Sequence, residues 1–296
     1  MPRAVVYSAV PTAFTPSGEL DLASMGRLFD HALAGGVDAV FVNGTTGEFP
    51  ALGREERAAS LRTAAEHASP DRVIAHVGAA SPHQTAELAA DALELGVTRM
   101  SIITPFYLPA SPTGVRAQVE AAVAAAPGAC LYLYVFPDRT GVVLSPDDAV
   151  EIINDYDLAG IKISIPGTDY VRAVADRLAT SREILSGNDD LLPEVVGSGG
   201  AGIVSGVSSS VPTPFVELAK TLHIRDAQRQ AELQAVIGRV VPALGPSIAG
   251  LKLSLALQGV IASPRCRMAI DAPNEADRKT IAEVVSWATA LSTPAA

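Results

Sequence analysis

Short runs of Val, Ile, Leu and Ala alternate along the chain with longer stretches in which apolar positions recur every three or four residues. Repeated βαβ units around a buried parallel sheet produce this pattern, because strands covered on both faces are apolar throughout, whereas a crossover helix is apolar on one side only. The runs predict eight strands, at 4–10, 37–42, 72–77, 98–103, 129–135, 159–163, 183–186 and 202–205. Between them the longer period predicts helices at 21–35, 53–68, 82–95, 112–126, 146–154, 169–179 and 191–198.

Local signals mark the ends of these helices. Ser81-Pro82, Ser111-Pro112 and Ser145-Pro146 each place a capping hydroxyl before a proline in the first turn, where a missing N–H costs nothing. Gly35-Gly36 and Gly96 follow helical stretches and suit a left-handed stop. Seven crossovers joining eight strands fit a closed (β/α)8 barrel of the TIM type, with an open doubly wound sheet as the rival. No GxGxxG follows the first strand, and polar residues collect at the C-terminal ends of several strands, where barrel enzymes build their sites. Both observations favour the barrel. Beyond the eighth strand the pattern is all-helical, at 214–222, 224–244, 248–260 and 274–291. The expected organisation is a barrel over 1–223 and a C-terminal helical extension over 224–296, the last five residues frayed.

Composition narrows the partners. The chain has 296 residues, 48% hydrophobic and 18% charged, and its 22 Lys and Arg against 32 Asp and Glu leave a formal charge of −10. No basic block could track a phosphate backbone, so nucleic acid is not an expected partner. Cys130 and Cys266 stand far apart without a CxxC, which suits a reducing compartment rather than a disulfide framework. The segment MPRAVVYSAVPTAF has neither the charged head nor the long apolar stretch of a secretory signal, and no apolar run reaches membrane-spanning length. A cytoplasmic protein is expected.

Several segments carry residue types suited to chemistry. Gly160-Ile161-Lys162-Ile163-Ser164 sets a lysine among aliphatic residues at the end of the sixth strand. Lysines are seldom buried, and an amine enclosed by apolar groups is favoured in its neutral, nucleophilic form. The alternative is a strand-end lysine whose head simply reaches water. Lys252, in Leu251-Lys252-Leu253, lies in helical periodicity and reads as a surface or interface lysine. Tyr132 and Tyr134 share one face of the fifth strand by its two-residue period, so a phenol could relay protons there, and Arg139 in the following loop could pair with a carboxylate. A packed tyrosine and a salt-bridged loop arginine explain the same residues.

Asn43-Gly44-Thr45-Thr46-Gly47-Glu48 follows the second strand, where glycines would let the backbone turn tightly and present N–H groups and two hydroxyls to a small carboxylate. A structural strand-to-helix turn fits equally well. Tyr107 follows the fourth strand, and Asp189-Asp190 follows the seventh, where helix N-terminal charge is the favoured role. Among five histidines none has metal-ligand spacing, and only His76 sits at a strand end.

In their order, GTTGE at 44–48, YxxPxRTG at 134–141, GIK at 160–162 and the glycine-rich element at 199–206 resemble the dihydrodipicolinate synthase and N-acetylneuraminate lyase superfamily, from the first strand through the eighth and into the helical tail. The resemblance implies a class I pyruvate-dependent aldolase in which Lys162 forms a Schiff base and Tyr134 transfers protons. It implies Thr45 and Thr46 at the carboxylate or in the proton relay, with Gly44, Ile203 and Ser205 nearby. Tyr107 matches an aromatic that completes a neighbouring subunit's relay, and Arg139 matches an arginine that engages the second substrate's carboxylate. It further implies a homodimer or homotetramer, and no metal, flavin or nicotinamide cofactor.

Some positions depart from the pattern. Val135 stands where asparagine is common and Ile163 where an acidic or polar residue is usual. Arg54, Arg57 and Ala80 replace the residues of the lysine-feedback pocket of dihydrodipicolinate synthases. These departures, with Leu131-Tyr132-Leu133-Tyr134, place cleavage of a 2-keto-3-deoxy sugar acid somewhat ahead of condensation of pyruvate with aspartate semialdehyde. A catalytically silent oxo-acid-binding barrel is the reading from another class.

Overall fold

The structure is a computed structural model that describes residues 3–292. Of the tail expected to fray, only the backbone of Ser292 falls within the described residues, as the end of the last helix. Eight parallel strands close into a barrel in sequence order: β1 Val5–Ala9, β2 Ala39–Val42, β3 Val73–His76, β4 Arg99–Ile103, β5 Cys130–Val135, β6 Gly160–Ile163, β7 Glu183–Ser186 and β8 Gly202–Ser205. The (β/α)8 expectation holds, and the open sheet is excluded.

The crossovers carry α1 Leu22–Ala34, α2 Arg54–His67, α3 Pro82–Glu94, α4 Pro112–Ala125, α5 Pro137–Thr140, α6 Pro146–Asp155, α7 Asp169–Ala175 and α8 Leu192–Gly197. After β8 come α9 Thr213–Ile224, α10 Ala227–Leu244, α11 Ile248–Leu257 and α12 Glu275–Ser292. The short α5 was not expected, since four residues carry no periodicity. Ser81 and Ser145 cap α3 and α6 as their sequence suggests, accepting from Gln84 N and Asp148 N, but Ser111 occupies the cap of α4 without a side-chain hydrogen bond. The left-handed stops lie at Gly36 and Gly96, while Gly35 remains right-handed. Among the described residues no single helix is long and apolar enough to cross a membrane.

The chain forms two compact units, Met1–Ala68 with Ser205–Ala296, and Ser69–Val204. In the first, β1 pairs with β2 through Tyr7 with Ala39, Ser8 with Val40 and Ala9 with Phe41. There α9 packs on β1 and α10, and α12 packs on α10 and α11. In the second, β3 to β7 pair successively, with Ser101 between His76 and Tyr132, Tyr134 beside Lys162, and Lys162 beside Leu185.

Gly160 pairs with Tyr132 on one side and Glu183 on the other. A Cβ there would lie 2.0 Å from the Glu183 carbonyl oxygen, inside the contact limit of backbone that cannot swing away. Gly160→Ala should therefore part β6 from β7 and destabilise the fold by about 2 kcal/mol or more, because overpacking forces the backbone to shift. Urea denaturation checks this, and an unchanged midpoint would contradict the close approach.

Candidate active site

The second unit assembles one group around Lys162. β6 holds this side chain nearly buried, at 5% exposure, with Nζ 4.2 Å from the centre of the Tyr134 ring on β5. His76 on β3 meets the same ring edge-on, centroids 6.2 Å apart at 87°. β3 and β5 are not neighbours, since β4 lies between them. Rings from such strands can meet only on the concave side of the sheet, so Tyr134 and Lys162 both project into the barrel. Phe136 stacks on Tyr134 at 6.0 Å, and Ser164 Oγ lies 3.5 Å from the Tyr134 hydroxyl, the outer limit of a hydrogen bond.

Alternation along the strands settles where the unusual residues go. Val135 and Ile163 pair with one another, one step beyond Tyr134 and Lys162, and so face the opposite, outer side, where both are fully buried. Neither departure takes anything away from the concave face that carries the lysine and the phenol.

Tyr132 shares the Tyr134 face two residues nearer the start of the strand. Its hydroxyl donates to Glu183 at 2.6 Å and accepts from Arg99 at 3.0 Å, and Arg99 itself pairs with Glu183 at 3.2 Å. Burial, reinforced by the Glu183 carboxylate, drives the phenol's pKa upward. Tyr132 is thus a hydroxyl locked in a structural network, the packed-tyrosine alternative left open by the sequence.

Two segments leave the strand ends beyond Lys162. After β5, α5 carries Arg139, an exposed side chain whose guanidinium lies 5.8 Å from the Phe136 ring. After β4, Tyr107 adopts φ +76° with its side chain 91% exposed, so it does not join the Tyr134 group within this chain. The segments are pinned together: Thr104 Oγ1 donates to Thr140 Oγ1 at 3.0 Å, and Thr140 donates to the Phe136 carbonyl at 3.1 Å. Asn188, which the sequence did not single out, joins the exits of β6 and β7 by donating from Nδ2 to the Ile165 and Gly167 carbonyls at 2.8 and 3.2 Å. Asp189 and Asp190 lie in the turn ahead of α8, whose cap position is Leu191, without a side-chain cap bond. Ile203 is buried in β8 and pairs with Ser186.

The first unit holds the other expected site residues. In the loop after β2, Asn43, Gly44, Gly47 and Glu48 are buried, and only Thr45 and Thr46 between them keep some exposure. Gly44 is required where it stands, for a Cβ would meet the Phe41 ring at 2.6 Å. The left-handed positions are not the glycines, however, but Asn43 at φ 59° and Glu48 at φ 55°. Gly206 approaches Thr46, a Cβ there lying 3.4 Å from Thr46 Oγ1. Ser205 Oγ is occupied in accepting from Ser208 N at 2.9 Å. On α2, Arg57 is buried with its guanidinium 5.5 Å from the Phe49 ring, and burial pulls its pKa down to about 9.

Lys252 overturns the surface reading. It is fully buried on α11 and ion-paired with Glu48, also fully buried, and it donates to the Arg265 carbonyl at 2.9 Å. Helical periodicity did not reveal this, because its partner lies on a loop 204 residues away.

Residues 3–288 match the model of the dihydrodipicolinate synthetase family. The 4-hydroxy-tetrahydrodipicolinate synthase of Exiguobacterium sibiricum is 30% identical, over 87% of this chain and 89% of its own. A DapA-like lyase of Halobacterium salinarum is 34% identical, over 88% of this chain and 86% of its own. Among solved structures, YagE, a prophage protein of E. coli K12 belonging to the dihydrodipicolinic acid synthase family and crystallised in complex with pyruvate, superposes with a TM-score of 0.89 at 25% identity, covering 98% of this chain and 99% of its own. The chain belongs to the dihydrodipicolinate synthetase family, a family of lyases.

Proposed function

We propose that the protein is a pyruvate-dependent aldolase that carries its oxo acid as a Schiff base on Lys162. The observation that supports this most directly is the buried amine 4.2 Å from the centre of the buried Tyr134 ring, both on the concave face. The Lys162 amine, in its deprotonated form, adds to the C2 carbonyl of the substrate. Tyr134 gives its phenolic proton to the hydroxyl of the resulting carbinolamine, which leaves as water, so that an iminium and a Tyr134 phenolate remain. In cleavage the C3–C4 bond breaks, its electrons form an enamine, and the C4 hydroxyl gives its proton to the Tyr134 oxygen as the aldehyde departs. Tyr134 returns that proton to C3, and water hydrolyses the iminium to pyruvate and the free amine, the proton released restoring the Tyr134 phenol. Condensation runs the same steps in reverse. No cofactor enters this sequence.

Family membership supports Thr45 and Thr46 as hydroxyl donors to the oxo acid's carboxylate, with Gly44, Ile203 and Ser205 alongside. They are the two partly exposed members of an otherwise buried loop. Tyr107 supports assembly as a homodimer or homotetramer: a bulky residue held at φ +76° with an almost fully exposed ring stores strain that a neighbouring subunit's site would use. The composition suits the cytoplasm.

For the second substrate we place a 2-keto-3-deoxy sugar acid first. Condensation with aspartate semialdehyde is the second reading, favoured by the exposed Arg139 guanidinium and by the activity named for the Exiguobacterium relative. Pyruvate release from sialic acid and a panel of 2-keto-3-deoxy sugar acids, run beside condensation with aspartate semialdehyde, separates them. Silence across the panel despite adduct formation would favour the non-catalytic barrel. In Arg139→Gln, KM for the acidic partner should rise by about tenfold or more, with pyruvate trapping unchanged, because a charge-assisted pairing is lost. An equal rise with an uncharged aldehyde would remove Arg139 from substrate recognition.

A further inference from the structure

The first unit contains a buried charge network that the lyase chemistry does not use. Glu48 Oε1 accepts from Lys252 Nζ, and Glu48 Oε2 accepts from the main-chain N–H groups of Arg267 and Met268 at 2.8 and 2.7 Å. Lys252 Nζ also lies 4.3 Å from the centre of the Phe14 ring, with the Arg267 guanidinium 4.4 Å from the same ring. Arg267 then grips Glu56 with two bonds of 2.6 and 2.7 Å and donates to the Gly18 carbonyl at 2.7 Å. The loop is also pinned from the other side, where Thr12 Oγ1 donates to the Gly47 carbonyl at 2.7 Å and Asn43 Nδ2 donates to the Arg57 carbonyl at 2.9 Å.

The bonds made by Asn43, Gly47 and Glu48 fall on the loop's two flanks, and Thr45 and Thr46 stand between them. Both flanking non-glycine residues, Asn43 and Glu48, are left-handed, a conformation that persists only where the surroundings impose it. A carboxylate that is fully buried needs several donors, and this one has three. We infer that Glu48, Lys252 and the 265–268 segment form a clamp that positions the Thr45 and Thr46 hydroxyls for the substrate's carboxylate. Glu48 and Lys252 are then positioning residues, and residues far along the chain from the lyase strands set affinity for the oxo acid. This inference rests on the assignment of Thr45 and Thr46 made above.

Borohydride trapping of pyruvate and of its methyl ester, which has the same ketone without the anionic group, tests the clamp. In Glu48→Gln the pyruvate concentration giving half-maximal trapping should rise about tenfold or more, while that for the ester moves less than about threefold, the signature of lost ground-state binding. Removing one partner of a buried pair can unfold a protein, so the double variant Glu48→Gln/Lys252→Met, which leaves no buried charge alone, is measured beside it. It should fold, judged by circular dichroism, and keep the selective loss for pyruvate. Equal losses for both ketones, or a double variant with wild-type affinity for pyruvate, would overturn the clamp. A wild-type protein that traps neither ketone at Lys162 would instead overturn the Schiff-base reading, and the clamp with it.

Discussion

Lys162→Ala is expected to abolish the borohydride-reducible pyruvate adduct and to lower turnover by roughly 10^4-fold or more, since the covalent route loses its nucleophile. Mass spectrometry of the wild-type protein after pyruvate and borohydride should place the reduced adduct on Lys162 and nowhere else. The other buried lysine is a built-in control. Lys252 is desolvated, which lowers its pKa, but the attraction of Glu48 opposes this and its ammonium donates to the Glu48 carboxylate and the Arg265 carbonyl. An adduct on Lys252, or turnover that survives Lys162→Ala, would end the assignment.

Tyr134→Phe has the second largest expected effect. The substitution keeps the ring that lies against Lys162 and stacks on Phe136, and takes away only the oxygen. Turnover should fall by about 10²–10⁴-fold, the usual worth of a positioned proton-transfer group. The adduct should still reach its full extent when trapping is prolonged, because the amine remains. His76 meets the ring edge-on, 6.2 Å between centroids, a contact that the substitution keeps. A phenylalanine variant within about threefold of wild-type turnover would show that another group moves the proton.

The fold was legible because its strands are buried on both faces. Runs such as Ala39–Val42 and Gly160–Ile163 are largely apolar, and eight of them with helices between predict a parallel sheet, the absence of GxGxxG after the first strand favouring the barrel over the open form. Lys162 was legible for the same reason, as a polar exception inside an apolar run, whereas Tyr134 was set apart from Tyr132 only by the family resemblance. The strand period also accounts for where Val135 and Ile163 fall. They differ from the family pattern on the outer face, away from the lysine.

Other parts of the site were not legible because they depend on tertiary pairing. Nothing adjacent to Lys252 announces a carboxylate partner, and an α-helix with a lysine flanked by leucines looks the same whether it faces water or a buried Glu48. The tight turn after β2 was attributed to its glycines, yet Asn43 and Glu48 take the left-handed positions because side-chain bonds hold them there. Tyr132 looked like the equal of Tyr134 in the two-residue pattern. Its separate role arises from Glu183 across the sheet, reachable because Gly160 between them has no side chain.

The hydroxyl pair Thr104 and Thr140 has an evolutionary consequence. It ties the stretch bearing Tyr107 to the stretch bearing Arg139, so mutations in one should shift the other, and their effects should not simply sum. New preferences in this protein should therefore arise through paired changes on both stretches, with single changes largely resisted.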